Sequence, residues 1–373
     1  MKILFNDFKK QYFAHKEEID SSIKQVLDSG FFILGDKVKK FEEEFAYYIG
    51  NRYAVGVGNG LEAIQIALMA LGINSGDEII TTSNSAVATA LAIKAVGAIP
   101  VFVDIDEYFH INAEEIEKKI TNKTKAILPV HLYGQSVDLE KIKSLAEKYN
   151  LFVVEDCAQS HGALYKGKKV GSWGDLGCFS FYPTKNLGAF GDAGAIVTDS
   201  FELAEKCRMI RNYGQKNRYE HDMYGLNSRL DELQASILLV NLKYLDEYNE
   251  KRGKIAKTYY ELLSDIKKIT LPRQRDFSSH VFHLFVIEVD KRDQLQEFLK
   301  SKSISSLIHY PIPIHKQKCF SEFNKISLPL LEEKVKKIIS LPIHPFLEKD
   351  EVSFICQSIK EFYENLNYHS SIQ

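Results

Sequence analysis

Lys185 lies in the stretch 177–188, which is rich in aromatic and small residues, and Asp156 ends the apolar run 151–156 upstream of it. Such surroundings are unusual for a solvated surface lysine or aspartate. Pyridoxal 5′-phosphate (PLP) requires one amine for a Schiff base and one carboxylate for its ring nitrogen. The pair therefore predicts a PLP site in which Lys185 forms the Schiff base and Asp156 holds the protonated ring. The alternatives are an ordinary surface lysine and an aspartate that caps the following helix.

The reactivity of Lys185 depends on its protonation. An amine is nucleophilic only when it is neutral, and a solvated lysine has a pKa of about 10.4. We expect burial to lower the pKa of Lys185 below that value.

A glycine-rich turn at 56–62 lies between a predicted strand and a predicted helix. Free N–H groups at a helix N-terminus suit a phosphate group, so this turn is a candidate for the cofactor phosphate. A tight β–α connection would have the same composition. Ser180 has a hydroxyl that would bind the same phosphate, and a buried structural serine is the alternative.

Two further polar stretches are candidates for binding. At 227–234 polar residues open a helix, and the residues by themselves favour an N-cap role for Asn227 or Ser228. The stretch 307–317 contains two histidines, one tyrosine and two prolines, and prolines fix extended loops that present polar groups rigidly. A metal site there would lack a third nearby ligand, so we predict none.

The composition limits the classes of partner. The formal net charge of the 373 residues is −2, which gives no reason to expect nucleic acid or an anionic membrane as partner. The five cysteines are scattered without zinc-ligand spacing. The N-terminal residues do not resemble a signal peptide, and no apolar run approaches the roughly 18 residues that cross a bilayer. We therefore expect a cytoplasmic protein.

Apolar β-like runs alternate with amphipathic segments between about residues 50 and 200. The predicted strands are Tyr53–Val57, Glu78–Thr82, Ile99–Ile105, Ala126–His131, Leu151–Asp156, Cys178–Tyr182 and Gly194–Thr198, and the predicted helices are 61–71, 86–96, 112–120 and 138–149. Short strands separated by helices predict an α/β fold with a mostly parallel sheet. Ligands of such sheets gather at the carboxyl ends of strands, where Asp156 lies.

The pattern changes after about residue 228. Arg229 to Asp265 is predicted to form one long or once-bent helix that links two domains. The remainder predicts a smaller α+β domain, with a strand at His283–Val289 and helices at Arg292–Ser301 and Asp350–Glu364. We expect a large PLP-binding domain at 1–245 and a small C-terminal domain at 246–373.

Several motifs together resemble the DegT/DnrJ/EryC1/StrS family of PLP-dependent nucleotide-sugar aminotransferases. The similarity runs from Phe5 to about Pro345 and includes SGFFILG (29–35), VGVGNGLEA (55–63), PVHLYGQ (129–135), VVEDCAQSHGA (153–163), GSWGDLGCFSFYPTKNLGAFGDAGA (171–195), NSRLDELQA (227–235), HYPIPIH (309–315) and LPIHP (341–345). The resemblance implies a type I PLP aminotransferase fold and a homodimer with active sites at the subunit interface.

The resemblance also implies roles for individual residues. Lys185 would carry PLP and Asp156 would hold the pyridine nitrogen, with Gln159 beside the ring. Gly60, Leu61 and Ser180 would bind the phosphate. Asn227 would reach the phosphate of the neighbouring subunit's cofactor, which replaces the capping role. His309, Tyr310 and His315 would face the sugar nucleotide.

The 227–235 and 309–317 motifs are most similar to the members that aminate C3 of dTDP-3-keto-6-deoxyhexoses with L-glutamate as donor. The alternatives are amination of C4, a UDP- or GDP-linked sugar, and a non-catalytic PLP-binding sensor. Two positions depart from the family pattern. Ala86 stands where many relatives have an aromatic residue that stacks on the PLP ring, and Leu61 replaces a common threonine.

Overall fold

The computed structural model describes residues 2–370, with side chains described through residue 366. The α-helices of this part are α1 Phe8–Ala14, α2 Lys16–Ser29, α3 Asp36–Ile49, α4 Gly60–Ala70, α5 Val87–Ala95, α6 Ala113–Ile116, α7 Leu139–Tyr149, α8 Phe201–Ile210, α9 Glu232–Leu242, α10 Leu245–Leu263, α11 Arg292–Ser301, α12 Pro329–Lys334 and α13 Lys349–Ser370. The strands are β1 Tyr53–Val57, β2 Glu78–Thr82, β3 Ile99–Val103, β4 Thr124–Leu128, β5 Phe152–Asp156, β6 Leu164–Tyr165, β7 Lys168–Lys169, β8 Leu176–Ser180, β9 Gly194–Thr198, β10 Gln215–Asn217, β11 Glu220–His221, β12 Ile269–Thr270, β13 Phe285–Val289 and β14 Ile338–Leu341.

A seven-stranded sheet with the order β1-β9-β8-β5-β4-β2-β3 forms the centre of the molecule. The pairs β2–β3, β2–β4, β4–β5 and β5–β8 are parallel, and β9 runs antiparallel to both of its neighbours. The prediction of a mostly parallel sheet is confirmed. Because β1, β2, β4, β5 and β8 point the same way, the segments that follow them meet at one rim of the sheet.

Hydrophobic side chains of the strands alternate between two clusters, one on each face of the sheet. One cluster joins the strands to α4, α5 and α8, and the other joins them to α3, α7 and α9. Helices therefore cover both faces, as near-continuous apolar strands require.

Strand β4 differs most from its predicted bounds, because it ends at Leu128 and not at His131. Pro129 follows it and has no N–H to donate, so the regular ladder stops there. The Pro129 carbonyl still accepts a hydrogen bond from the Asp156 N–H at 2.9 Å. This bond ties the 129–135 segment to the end of β5.

The long helix predicted from Arg229 to Asp265 is two helices, α9 and α10. The chain turns at Lys243 and Tyr244, and Tyr244 has φ −106° and ψ 0°. Gly253, a residue type that destabilises helix interiors, lies inside α10, and nothing lies within 4 Å of a Cβ atom added there. The once-bent alternative is therefore correct, but the bend is at 243–244.

A third hydrophobic cluster surrounds the antiparallel sheet β12-β13-β14 and helices α10, α11 and α13. Ile3 belongs to this cluster and pairs with Ile304, so the segment around Ile3 packs on the C-terminal part of the chain. The domain boundary at 245 stays a prediction. None of the helices described is long and apolar enough to cross a membrane.

Candidate active site

Asp156 is the last residue of β5 and is only 5% exposed. Its Oδ2 accepts a hydrogen bond from the Thr89 hydroxyl at 2.8 Å, and its Oδ1 accepts one from the Ala158 N–H at 3.1 Å. Burial raises the pKa of Asp156, whereas these two donors and the charge of Lys185 lower it. The carboxylate thus accepts hydrogen bonds from two neutral donors. Because burial disfavours its charge, a cation placed beside it would stabilise the ionised form.

Lys185 lies in the loop after β8, where its backbone N–H donates to the Tyr182 carbonyl at 2.8 Å. Burial lowers the pKa of the Lys185 amine to about 8, and Asp156 acts in the opposite direction. The expected lowering of the pKa is confirmed. Asp156 ends β5 and Lys185 lies in the loop after the adjacent strand β8, and the two come close enough that each changes the pKa of the other.

Gln159 connects two tyrosines beside Asp156. Its Oε1 accepts from the Tyr133 N–H at 2.9 Å, and its Nε2 donates to the Tyr310 hydroxyl at 3.0 Å. Because an amide nitrogen can only donate, the Tyr310 proton remains available for a ligand oxygen. Burial and the charge of Asp156 raise the pKa of Tyr310 to about 12, so this hydroxyl is neutral.

His309 precedes Tyr310 and lies against Ser340, with Nδ1 and Oγ 2.9 Å apart. The Tyr133 hydroxyl donates to the His309 carbonyl, which joins this segment to the 129–135 loop. Burial, together with the charge of Lys185, lowers the pKa of His309 to about 4. The ring is therefore neutral near pH 7.

The glycine-rich turn leads from β1 into α4. Asn59 caps the helix by accepting from the Glu62 N–H at 2.9 Å, and the first helical bond runs from the Ala63 N–H to the Asn59 carbonyl. The N–H groups of Gly60 and Leu61 precede that bond, so they have no carbonyl partner within the helix. The Leu61 side chain packs on the core cluster, so this residue offers its backbone alone.

Ser180 lies directly against this turn. A Cβ atom on Gly60 would be 2.5 Å from Ser180 Cβ. The sequence-predicted phosphate residues Gly60, Leu61 and Ser180 are therefore neighbours in the structure.

Comparisons with known proteins agree with this geometry. The model of the DegT/DnrJ/EryC1/StrS aminotransferase family matches residues 14–360. The chain belongs to this family. It is 48% identical to a dTDP-3-amino-3,6-dideoxy-alpha-D-galactopyranose transaminase of Aneurinibacillus thermoaerophilus, over 96% of this chain and 99% of the relative. It is 45% identical to a pleiotropic regulatory protein of Geobacillus stearothermophilus, over 98% of this chain and 100% of the relative.

Among solved structures, the crystal structure of S. venezuelae DesV in complex with a ketimine intermediate is 42% identical and has a TM-score of 0.95. The similarity covers 97% of this chain and 98% of DesV. The protein therefore has the PLP aminotransferase fold, and it is a PLP-dependent aminotransferase.

The residues of this family member fit PLP. Asp156 would accept the ring N–H, because its carboxylate is buried and, among the residues that the structure describes, accepts hydrogen bonds from two neutral donors alone. Lys185 supplies an amine whose pKa is already lowered. Gly60 and Leu61 supply backbone N–H groups at a helix N-terminus, where an anion is favoured.

His315 is placed differently from His309 and Tyr310. Its side chain is fully buried, with Nδ1 2.7 Å from Ser83 Oγ and Nε2 3.1 Å from Glu332 Oε1. Both ring nitrogens are thus engaged within the chain. The geometry favours a positioning role for His315 over the direct substrate contact that the sequence predicted.

Asn227 is exposed and does not cap a helix. The N-cap of α9 is Asp231, whose carboxylate accepts from the Gln234 N–H at 2.8 Å. The capping role that the residues alone favoured for Asn227 or Ser228 is therefore wrong. Ser228 instead accepts a hydrogen bond from the Gly58 N–H at 3.0 Å, which places the exposed Asn227 next to the phosphate turn.

The buried residues His131, Glu155 and Cys157 have ligand atoms within 4.8 Å of one another. The Val137 N–H donates to His131 Nδ1 at 3.2 Å, so the ring proton is on Nε2, 2.9 Å from Glu155. Three backbone N–H groups of the 171–174 turn also donate to Glu155. The carboxylate is satisfied, and we interpret this group as structural support for β5.

The sequence reasoning missed Thr89, which contacts Asp156 directly. A signal was present, since Thr89 lies in the first turn of α5, the helix that follows β2, on the rim where Asp156 ends β5. Ala86, which lies between β2 and Thr89, is partly exposed at the N-cap of α5 and has no aromatic ring that would stack on PLP.

Proposed function

We propose that the protein transfers the amino group of L-glutamate to C3 of a dTDP-linked 3-keto-6-deoxyhexose. The observation that carries this proposal is the pair formed by the half-buried Lys185 and the buried Asp156, beside the Tyr310 hydroxyl. The substrate class is supported by the similarity to a relative named as a dTDP-3-amino-3,6-dideoxygalactose transaminase. The product would supply an amino sugar to a glycan such as lipopolysaccharide, and a cytoplasmic location stays a prediction.

PLP supplies an electron sink that makes the proton on the adjacent substrate carbon acidic. Asp156 keeps a proton on the ring nitrogen through its negative charge. The Lys185 amine, once free, accepts a proton from one carbon and delivers it to another. Its pKa of about 8 allows it to hold and to release a proton near neutral pH.

The sugar nucleotide would meet the segment 309–310. Tyr310 has a hydroxyl proton to donate, and the neutral His309 ring lies beside it. A donor fixed by Gln159 would orient the keto-sugar toward Lys185. The alternative substrates, a C4-keto sugar or a UDP- or GDP-linked one, would use the same donors.

We further propose a homodimer whose interface includes the exposed apolar patch formed by Phe31, Phe32, Ile33 and Phe190. The exposed fractions of these residues are 58%, 46%, 44% and 39%. The N-terminus of α9 brings them together, because the Phe32 carbonyl accepts from the Glu232 N–H and the Gln234 side chain accepts from the Phe190 N–H. Exposed apolar residues gathered at one helix end support an interaction surface, and Asn227 would then approach the partner's cofactor.

The decisive experiment is mass spectrometry of the products formed from dTDP-, UDP- and GDP-linked keto-sugars with glutamate. We expect a 3-amino sugar from the dTDP substrate and 2-oxoglutarate in equal amount. Lys185→Ala should form neither product, because it lacks the amine that moves the proton. Full activity of Lys185→Ala would contradict the assignment.

The sensor alternative makes a different prediction for glutamate alone. An enzyme should form one equivalent of 2-oxoglutarate per site in the absence of sugar, whereas a protein that only binds PLP should form none.

A further inference from the structure

Two hydroxyl groups form a buried chain behind Asp156. Thr89 Oγ1 lies 2.8 Å from Asp156 Oδ2, and Ser85 Oγ lies 2.7 Å from Thr89 Oγ1. Each of the three residues is at most 5% exposed. A hydroxyl has a single proton, so Thr89 can donate to an ionised Asp156 only if Ser85 donates to Thr89. The chain therefore has a direction, from Ser85 through Thr89 to the carboxylate.

Helix α5 sets the spacing of these hydroxyls. Ser85 lies just before the N-cap of α5, and Thr89 lies in its first turn. Residues four positions apart at a helix start face the same side, which brings the two oxygens together. Neither hydroxyl has another hydrogen-bond partner in the part of the chain that the structure describes.

Thr89 is the closer of the two donors to Asp156. The other donor, the Ala158 N–H, is 3.1 Å from Oδ1. Hydrogen bonds to an ionised acceptor are stronger than those between neutral groups. The loss of the Thr89 hydroxyl would therefore destabilise the ionised form of Asp156 more than the neutral form. Without it, burial would favour the neutral acid.

We propose that Thr89, supported by Ser85, is a positioning residue that keeps the Asp156 carboxylate ionised and oriented toward the ring nitrogen of PLP. This inference rests on the proposed function, because it assumes that Asp156 makes that contact. A neutral Asp156 would donate or share its own proton instead of stabilising the proton of the ring. The cofactor would then bind less tightly and withdraw electrons less effectively.

The test uses Thr89→Val, which removes the hydroxyl with little change in shape. We expect the affinity of the apoenzyme for PLP, measured by titration, to fall about tenfold, the factor that corresponds to one unit of pKa. We expect kcat to fall to a similar extent while KM for glutamate stays within about twofold. Ser85→Ala should change PLP affinity and kcat in the same direction by about twofold to threefold, because it weakens the bond only indirectly.

Two further variants separate the hydroxyl from packing. Thr89→Ser retains the oxygen and should restore PLP affinity and kcat to near the wild-type values. Thr81→Val is the matched control, since Thr81 is equally buried but donates to the Leu128 carbonyl at 2.8 Å. It should leave PLP affinity and kcat unchanged.

Several outcomes would overturn the inference. Wild-type PLP affinity and kcat in Thr89→Val would do so, as would a Thr89→Ser variant as impaired as Thr89→Val. Wild-type PLP affinity and kcat in Ser85→Ala would contradict the hydrogen-bond chain from Ser85 through Thr89 to Asp156. This variant provides the test if Thr89→Val does not fold. Asp156→Asn distinguishes a failure of the inference about Thr89 from a failure of the proposed function. If Asp156→Asn binds PLP normally, the proposed role of Asp156 itself is wrong.

Discussion

Lys185 and Asp156 are desolvated together at the rim of the sheet, and burial favours the neutral form of each. For Lys185 this suits the chemistry, because the reactive amine is neutral and its pKa is lowered to about 8. For Asp156 burial acts against the chemistry, because the anion is needed and the pKa is raised. Their mutual attraction and the Thr89 hydroxyl offset part of this effect.

The pH dependence of cofactor capture should report the pKa of Lys185. We expect the rate at which the apoenzyme binds PLP covalently to rise with pH and to level off above about pH 8, since only the neutral amine reacts. In Asp156→Asn the charge that raises this pKa is absent, so the rise should move to lower pH. Stopped-flow absorbance over a pH series measures both.

The matching control is the reaction of PLP with a simple amine over the same pH series, which corrects for the ionisation of PLP itself. A wild-type midpoint near the ordinary lysine value of 10.5, or a shift of Asp156→Asn to higher pH, would contradict this prediction.

The phosphate turn depends on how closely α4 approaches β8. Gly60 opens α4, and the space of a Cβ there is already occupied by Ser180. The absence of a side chain at Gly60 therefore lets the helix N-terminus and the Ser180 hydroxyl share one small volume. The topology contributes as well, because β1 and β8 end at the same rim although β9 lies between them.

Gly60→Ala should weaken both the fold and the cofactor site. The added methyl meets Ser180 Cβ at 2.5 Å and Cα at 3.1 Å, so backbone atoms must move. We expect the free energy of unfolding to fall by about 1–3 kcal/mol and PLP affinity by about tenfold. Chemical denaturation of the apoenzyme and PLP titration measure these changes.

Gly253→Ala is the matched control for that substitution. Gly253 lies inside α10 with nothing within 4 Å of an added Cβ, so the variant should be more stable by about 0.5–1 kcal/mol and bind PLP normally. A Gly60→Ala variant with wild-type stability and affinity would show that the close approach is not needed.

At the scale of the whole molecule, the main feature is the exposed apolar patch that includes Phe31, Phe32 and Ile33. Phe31, Phe32 and Ile33 precede α3, and the buried carboxylate of Glu232 accepts from the N–H groups of Lys37 and Val38 at the start of that helix. The patch is thus rigidly attached to α9. Rigid exposed aromatic residues are typical of interfaces, since they lose little entropy on binding.

Replacing both Phe31 and Phe32 with glutamate should convert the expected dimer to a monomer, because two charges would be buried at the interface. We expect the mass from light scattering to halve and aminotransferase activity to fall at least about tenfold, since Asn227 would no longer approach the partner's cofactor. Phe277→Glu is the control: this phenylalanine is 74% exposed beside Lys166, away from the patch. A monomeric wild-type protein with full activity would refute the dimer.

The sequence by itself determined the features that depend on local pattern. Lys185 and Asp156 could be found because each follows an apolar run that must be buried, and a charged residue in such surroundings is unusual enough to be a candidate for a functional role. The strands at Tyr53–Val57 and Gly194–Thr198 were predicted to the residue because a short run of apolar and β-branched side chains is a local property, and both strands are almost completely buried. The motifs of the family were also continuous in sequence.

Only the tertiary structure decided which polar side chains face the site. His309 and His315 belong to one proline-rich loop, yet His309 lies beside Tyr310 whereas His315 is buried against Ser83. Ser83 is distant in sequence, and spacing within the loop cannot encode that contact. The contact of Thr89 with Asp156 could not be predicted for the same reason. It depends on parallel strands that bring the end of β2 to the end of β5 across β4.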